Sequence, residues 1–344
     1  MTVVHGGLDP REVAAMGLDP DAILDLSANL HPEGTSEVMR NALATVVWDR
    51  YPIADAAPVR DAIARHEGVA PACVLPVAGA TAAIHLIARA FASGQRTVIV
   101  GPTFGEYRAA VLAAGGEAVE VAAEAPAFEP PVDRVPAGAL GFLCNPNNPT
   151  GSFLGRRAVE TVADQLDGLL VVDAAYEPFT YPRWNPVDLV RTGRNVVVVR
   201  SMTKLHAIPG VRLGYIVGPE DVVAQLRALQ HSWSLDAAAC AVAPVALGEA
   251  DARIRGLEPM RRTREEMRTA FMQAGRMVAP SEANFLLVQA GDAARLRAGM
   301  LRRGVLVRDC ASFGLEGWIR IAVPRPRDRD PVLRAFLDAA REGR

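Results

Sequence analysis

The feature that most constrains the fold is an alternation of short apolar runs with longer helical stretches over residues 73–218. The runs are VLPV (74–77), TVIV (97–100), GFLC (141–144), LLVVD (169–173), NVVVVR (195–200) and LGYIVG (213–218). Runs that are apolar at successive positions are typical of strands buried on both faces of a parallel sheet. The pattern predicts an α/β fold in which a mostly parallel sheet is sandwiched by helices.

The pattern changes after about residue 248. Residues 252–275 have the composition of one long, polar-faced helix, and NFLLVQA, GVLVRD and GWIRIAV then have strand patterns. We therefore expect an N-terminal arm over residues 1–35 that packs on the small domain, a large domain over 36–248, and a small α+β C-terminal domain over 249–344.

Charge and composition exclude several classes of protein. The net charge is −2 and both signs are mixed along the chain, which argues against nucleic acid or an anionic membrane as the main partner. No apolar run approaches the roughly 20 residues that span a bilayer, and the first residues lack a signal pattern, so we expect a soluble, cytoplasmic protein. The cysteines Cys73, Cys144, Cys240 and Cys310 are far apart and are expected as buried, reduced thiols. The six histidines lack metal-ligand spacing, so no metal is expected.

The chain contains a single lysine, Lys204, among its 37 lysine and arginine residues. A GC-rich genome explains the abundance of arginine but not the survival of one lysine. A primary amine can lose its proton and form an imine with an aldehyde, whereas a guanidinium effectively cannot deprotonate. Schiff-base chemistry is therefore the function of Lys204 that arginine could not replace.

Polar motifs follow the predicted strands, at the edge of the sheet where parallel α/β folds bind ligands. Ser201 and Lys204 follow NVVVVR, Asp173 ends LLVVD, NPNNPTG (145–151) follows GFLC, and a turn at Gly79 precedes a helix. This set suits pyridoxal 5′-phosphate (PLP), which carries a phosphate, an aldehyde and a pyridine nitrogen. The turn has no G-x-G-x-x-G pattern, which argues against a dinucleotide.

The phosphate of such a cofactor has candidate ligands in two motifs. The helix that begins after Gly79, with Ala80 and Thr81, offers free backbone N–H groups. Ser201 and Arg212 can add a hydroxyl and a bidentate guanidinium.

The ring of the cofactor has candidate partners as well. Asp173 can pair with the protonated pyridine nitrogen and keep the ring an electron sink, so Lys204 and Asp173 are the candidate catalytic residues. Tyr176 and Asn148 can hydrogen-bond the phenolic oxygen, and Phe104 can stack on the ring. The alternative for Asp173 is a helix cap after a strand.

The chain resembles fold-type-I PLP enzymes, within the branch that contains histidinol-phosphate aminotransferase and the threonine-phosphate decarboxylase of cobalamin biosynthesis. NPNNPTG, RSMTKLHAIPGVRLGY (200–215) and the C-terminal RIAV carry the resemblance, which extends over nearly the whole chain. It implies a homodimer in which Tyr51 reaches the PLP phosphate of the other subunit.

The opening HGG (5–7), the stretch LDLSANLHP and the motif HSWSLDAAA resemble the decarboxylase more than the aminotransferase. The resemblance implies decarboxylation of O-phospho-L-threonine to (R)-1-amino-2-propanol O-phosphate; the alternative is an aminotransferase of the histidinol-phosphate type. A PLP-binding regulator without turnover is a third hypothesis, against which the intact cofactor motifs argue. The implied ligands of the substrate phosphate and carboxylate are His5, Gly6, Asn29, Asn148, Arg308 and Arg320.

The chain also departs from the family pattern. Ala78, Ala82 and Ala83 replace the usual polar residues around the Gly79 turn, Ala174 replaces an acidic residue in DAAY, and LHP replaces the commoner INP. None of these changes removes an expected cofactor contact.

Overall fold

A computed structural model describes residues 5–342. The helices in this range are α1 Pro10–Ala15, α2 Glu37–Ala44, α3 Ala57–Glu67, α4 Ala80–Phe91, α5 Glu106–Ala113, α6 Arg156–Asp164, α7 Val187–Arg191, α8 Met202–His206, α9 Glu220–Leu229, α10 Ala237–Arg255, α11 Glu258–Gln273, α12 Ala293–Leu301 and α13 Arg329–Arg341. The strands are β1 Leu24–Asp25, β2 Val74–Val77, β3 Arg96–Gly101, β4 Glu117–Ala122, β5 Leu140–Cys144, β6 Leu169–Asp173, β7 Val196–Ser201, β8 Gly214–Val217, β9 Phe285–Gln289, β10 Val305–Leu306, β11 Arg308–Asp309 and β12 Trp318–Ala322.

Seven strands form the central sheet, in the order β2-β8-β7-β6-β5-β3-β4. The five strands from β7 to β4 are parallel, which confirms the predicted mostly parallel sheet. Strand β8 runs antiparallel to both of its neighbours, so LGYIVG does not continue the parallel pattern.

Apart from the edge strand β4, the strands of this sheet are buried on both faces. In β6, Leu170 and Val172 belong to one hydrophobic core, while Leu169 and Val171 belong to the core on the opposite face. This burial explains why the strand is continuously apolar rather than alternating, because helices cover each side of the sheet.

Two predictions about individual elements are wrong, and one strand was missed. The expected single helix over 252–275 is interrupted, since α10 ends at Arg255 and α11 begins at Glu258 with a proline in its first turn. GVLVRD divides into β10 and β11, which pair with different strands. Strand β4 is the edge strand of the sheet, and its exposed glutamates hid it from a search for apolar runs.

The C-terminal part has its own three-stranded antiparallel sheet, in the order β11-β12-β9. The N-terminal arm lies on this part of the chain, because β1 pairs in parallel with β10. Helix α10 runs through residue 248, so the predicted boundary falls within a continuous helix and the division into domains stays a prediction.

Two further observations concern the whole described range. None of the helices within residues 5–342 is long and apolar enough to cross a membrane. All four cysteines are free thiols; Cys144 and Cys310 are buried as expected, whereas Cys73 and Cys240 are only partly buried.

Candidate active site

A cavity of about 300 Å³ lies where the parallel strands end. Strands β5, β6 and β7 end at Cys144, Asp173 and Ser201, and all three residues line it. The residues predicted from the sequence that line this cavity are His5, Gly6, Asn29, Ala80, Thr81, Phe104, Asn148, Asp173, Tyr176, Ser201, Lys204, Arg212, Arg308 and Arg320. Lining residues that the sequence reasoning missed include Ser27, Ala28, Tyr107, Ala175, Thr203 and Phe313.

Lys204 lies on α8, the short helix that begins directly after β7. Its Nζ lies 5.9 Å from the centroid of the Tyr176 ring. Burial, together with the positive charges of Arg320 and Arg212, lowers the pKa of the Lys204 amine to about 8. An amine with this pKa exists in both its neutral and its protonated form near neutral pH, which suits a group that attacks an aldehyde and moves protons.

Asp173 is buried at the end of β6. Its Oδ2 accepts a hydrogen bond from the Tyr107 hydroxyl at 2.8 Å, and its Oδ1 accepts one from the Ala175 N–H at 3.0 Å. Burial raises the pKa of Asp173, and the two hydrogen bonds and Lys204 oppose the rise. A protonated pyridine nitrogen would complete the compensation of this buried carboxylate, so the residue fits the predicted role.

Tyr107 is the missed residue with the clearest part in this arrangement. Its ring is fully buried and stacks on Phe142 at a centroid distance of 5.1 Å. It lies one helical turn after Phe104, in the first turn of α5. Its spacing in the sequence is consistent with the buried face of α5, but no local motif indicates its contact with Asp173.

The Gly79 turn and Arg212 form an anion-binding arrangement. Gly79 has a φ of +85°, and a Cβ there would lie 2.6 Å from Arg212 Nη2, so only glycine allows this close approach. Helix α4 begins after it without a side-chain cap, which leaves its first N–H groups for a ligand. The N-terminal end of a helix beside a guanidinium suits the phosphate of PLP. Gly79 itself is not one of the residues that line the cavity.

Two asparagines of the cavity wall make hydrogen bonds to other residues that line it. Asn29 Nδ2 donates to the Tyr176 hydroxyl at 3.3 Å, and Arg320 Nη1 donates to Asn148 Oδ1. Burial raises the pKa of Tyr176 to about 12, so it acts as a neutral hydrogen-bonding group at physiological pH.

Two arginines of the small sheet lie side by side in the cavity wall, in a region that we call the substrate end. Arg308 and Arg320 are direct partners across the β11–β12 pair, and both are largely buried. Arg320 Nη2 donates to the Ser27 carbonyl at 2.6 Å, and Arg308 Nη2 donates to Ser312 Oγ at 2.7 Å. Burial and the charge of Arg320 lower the pKa of Arg308. Two adjacent buried guanidinium groups create a strong preference for an anionic ligand.

The structure does not bring Tyr51 to this cavity. Its ring is 84% exposed and lies 5.1 Å from the ring of Trp233. The prediction for Tyr51 concerns a second subunit, so a single chain leaves it a prediction.

Comparison with known proteins agrees with this geometry. A family profile, Aminotransferase class I and II, matches residues 17–336. The threonine-phosphate decarboxylase of Salmonella typhimurium is 30% identical, with 96% of this chain and 95% of that protein aligned. The histidinol-phosphate aminotransferase of Roseiflexus castenholzii is 34% identical, over 96% of this chain and 94% of the relative.

Solved structures show the same two kinds of enzyme. L-threonine-O-3-phosphate decarboxylase from Porphyromonas gingivalis superposes with a TM-score of 0.81 at 30% identity, covering 91% of this chain and 98% of the other. Histidinol-phosphate aminotransferase from Sinorhizobium meliloti, in complex with pyridoxal-5′-phosphate, has a TM-score of 0.83 over 98% of this chain and 96% of the other; at 21% identity it shows the fold alone. The comparisons agree on the fold and the cofactor, and they divide over the reaction.

Proposed function

Because this chain belongs to the PLP-dependent family of class I and II aminotransferases, we propose that it decarboxylates O-phospho-L-threonine to (R)-1-amino-2-propanol O-phosphate. The observation that carries this proposal is the position of the opening HGG segment at the anionic-ligand end of the cavity. A Cβ on Gly6 would lie 2.3 Å from the Ser27 carbonyl oxygen and 3.3 Å from Arg320 Nη2, so the segment passes directly against the arginine.

The residues around Lys204 would hold the cofactor. Lys204 would bind its aldehyde carbon and Asp173 its pyridine nitrogen, while Arg212, Ser201 and the start of α4 would hold its phosphate. When bound, PLP supplies an electron sink for the pair left by a bond broken at the substrate Cα.

At the substrate end, two anionic groups of the substrate need partners. In our proposal Arg320, with the backbone of the HGG segment, orients the carboxylate, while Arg308 and His5 hold the phosphate. This division uses both guanidinium groups and explains why two buried cations lie side by side.

The bond that breaks would be set by how the substrate is held. If Arg320 holds the carboxylate so that the Cα–carboxylate bond is aligned for cleavage, that bond breaks and CO₂ leaves. A proton from Lys204 Nζ then takes its place on Cα. The pKa of about 8 means that Lys204 can donate this proton near neutral pH and regain one from solvent.

The second candidate is an aminotransferase of the histidinol-phosphate type. Histidinol-phosphate aminotransferases at 33% and 34% identity favour it, because these identities exceed the 30% of the Salmonella typhimurium decarboxylase. The same residues would hold the cofactor and the substrate. Lys204 Nζ would then remove the Cα proton, and the carboxylate would stay on the substrate. This reaction requires a 2-oxo acid as the second substrate.

One experiment separates the two reactions. Purified holoenzyme is mixed with O-phospho-L-threonine in the absence of any oxo acid, and CO₂ and the amine phosphate are measured. Catalytic CO₂ release supports the decarboxylase. A single conversion of the cofactor to its pyridoxamine form, with turnover only after 2-oxoglutarate is added, would establish the aminotransferase. L-threonine is the matched control, since it differs from the substrate only by the phosphate.

We also propose a homodimer in which Tyr51 contributes to the partner's cofactor site. Exposed apolar side chains around Tyr51 support it: Trp48 is 74% exposed, Ile53 59% and Trp233 49%. Such a concentration of exposed aromatic residues is typical of a protein interface. Sedimentation equilibrium tests the dimer, and a monomer at micromolar concentration would contradict it.

A further inference from the structure

Three titratable side chains form a cluster beside the cavity: His5, which lines it, and two groups that have no role in the proposed function, Glu106 and His85. Glu106 Oε1 lies 2.9 Å from His5 Nε2, and Glu106 Oε2 lies 2.8 Å from His85 Nε2. Glu106 is buried, whereas both imidazoles are partly exposed. One carboxylate therefore pairs with two imidazoles at once.

The cluster connects three separate parts of the chain. His5 belongs to the N-terminal arm, His85 to α4, and Glu106 to the first turn of α5. On its other side the arm is held by a hydrogen bond from the Gly7 N–H to Ser27 Oγ at 2.8 Å. The arm is thus held at His5 and at Gly7, and Glu106 on α5 provides the first of these contacts.

The chemistry of a carboxylate determines how His5 is presented. An ionised carboxylate only accepts hydrogen bonds, so His5 must present Nε2–H to Glu106. The other polar atom of the ring is Nδ1, and His5 lines the cavity. When both ring nitrogens carry hydrogen, His5 can donate to Glu106 and to an anion at the same time.

Glu106 itself is unsuited to contact that anion. A bare carboxylate at the wall would repel a phosphate, but here its two oxygens face two imidazoles. Its effect on a ligand must therefore pass through His5, while His85 satisfies the second oxygen and holds the carboxylate in place.

We propose that Glu106, assisted by His85, is a positioning residue that presents His5 to the phosphate of a phosphorylated amino-acid substrate. The proposal rests on the proposed function, since it assumes a phosphorylated ligand in this cavity. It adds a specificity element made of residues on α4 and α5 to the arginine pair on the small sheet.

The test compares two ligands that differ only in the phosphate, (R)-1-amino-2-propanol O-phosphate and (R)-1-amino-2-propanol. Neither has a carboxylate to lose, so binding to holoenzyme is measured by calorimetry without CO₂ release. In Glu106→Gln the dissociation constant of the phosphorylated amine should rise about 10-fold, and that of the unphosphorylated amine should change less than about 2-fold. Glu120→Gln is the matched control, because Glu120 is an exposed glutamate on the edge strand β4 that pairs with Arg108 of α5.

A second arm tests whether Glu106 acts through His5. In a His5→Ala background, adding Glu106→Gln should weaken the phosphorylated amine less than about 2-fold further, because the group that Glu106 positions is gone. If Glu106→Gln proves unstable, His85→Asn takes its place in the test, because His85 is partly exposed. This change should raise the dissociation constant of the phosphorylated amine about 3-fold. A full 10-fold loss in the His5→Ala background would overturn the proposal.

The outcomes separate this inference from the function on which it rests. If the wild-type protein binds both amines equally, the phosphorylated substrate class is wrong and the inference falls with it. If the wild type prefers the phosphorylated amine and Glu106→Gln and His85→Asn keep the full preference, only the role of Glu106 is wrong.

Discussion

The two ends of the cavity are built in different ways. The cofactor end uses residues at the ends of strands in one sheet, Asp173 and Ser201, or just after such an end, Lys204, each next to a recognisable motif. The substrate end assembles His5 from the N-terminal arm with Arg308 and Arg320 from the small sheet, which are separated from it by most of the chain.

This difference explains why the comparisons agree on the cofactor and divide over the reaction. The cofactor end depends on local loops fixed by a parallel sheet, and a family can keep it unchanged. The substrate end depends on how two distant segments meet, so a small shift in either changes which bond is aligned for cleavage. If the two ends are independent, a substitution at one end should leave the properties of the other end intact.

The largest effect is expected at the cofactor end, with Lys204→Ala. Activity should fall at least about 10⁴-fold with any substrate, because both candidate reactions need this amine. The visible absorbance of the covalently bound cofactor should be lost as well. Because Lys204 is the single lysine, borohydride reduction of the wild type should label one internal site by mass spectrometry. Lys204→Arg is the control for charge, and activity retained in it would contradict the assignment.

The sequence predicted the cofactor end well for a physical reason. Strands β2 and β6 have the predicted bounds, 74–77 and 169–173, because burial leaves a continuous apolar run in each. In β6 this run ends at the polar residue Asp173. Loops at the ends of parallel strands must then meet, so residues far apart in the chain could be placed together. The edge strand β4 was missed because solvent contact removes that apolar signature.

Contacts between elements were not visible in the sequence. The hydrogen bond from Tyr107 to Asp173 depends on how α5 packs against the sheet, and the pairing of Glu106 with His5 and His85 depends on three separate segments. No local spacing encodes either contact. The break between α10 and α11 was missed for a related reason, because the polar pattern continues across Gly256 while the helix ends there.

At the substrate end, Arg320→Ala should lower kcat/KM about 10³-fold, because it removes a buried bidentate partner of the substrate and leaves Asn148 without its donor. The cofactor should stay bound and keep a visible absorbance, which would show that the two ends are separable. Because Arg320 is one of the charges that lower the pKa of Lys204, the pH dependence of that absorbance should shift to higher pH. Arg341→Ala, a change at a side chain that is 78% exposed, is the control. Loss of the cofactor absorbance in Arg320→Ala would show that the cofactor end depends on the substrate end.

The pKa of Lys204 predicts how cofactor-free protein depends on pH. The folded-state pKa is about 8 against an ordinary value of 10.5, so between these values the unfolded state binds more protons. The contribution of Lys204 to the free energy of unfolding should therefore rise with pH between these two values and be lowest below pH 8. Lys204→Met should be more stable than wild type at pH 7 by up to about 3 kcal/mol, and the difference should vanish near pH 11. Urea unfolding of both proteins at the two pH values measures it; an equal difference at both would contradict the lowered pKa.

The smallest effect is expected from Tyr107→Phe, which removes one donor from Asp173 and leaves the ring stacked on Phe142. Activity should fall about 10-fold, because a hydrogen bond to a buried charged group is lost while the carboxylate keeps the Ala175 N–H and its partner on the cofactor. The loss should be equal for phosphorylated and unphosphorylated substrates, since Asp173 belongs to the cofactor end. Phe104→Leu, at a neighbouring ring on the same cavity wall, is the comparison variant. If Tyr107→Phe instead changed the preference for the phosphate, α5 would transmit its effect to both ends, and the residues Glu106 and Tyr107 on that helix would have to be treated as one unit.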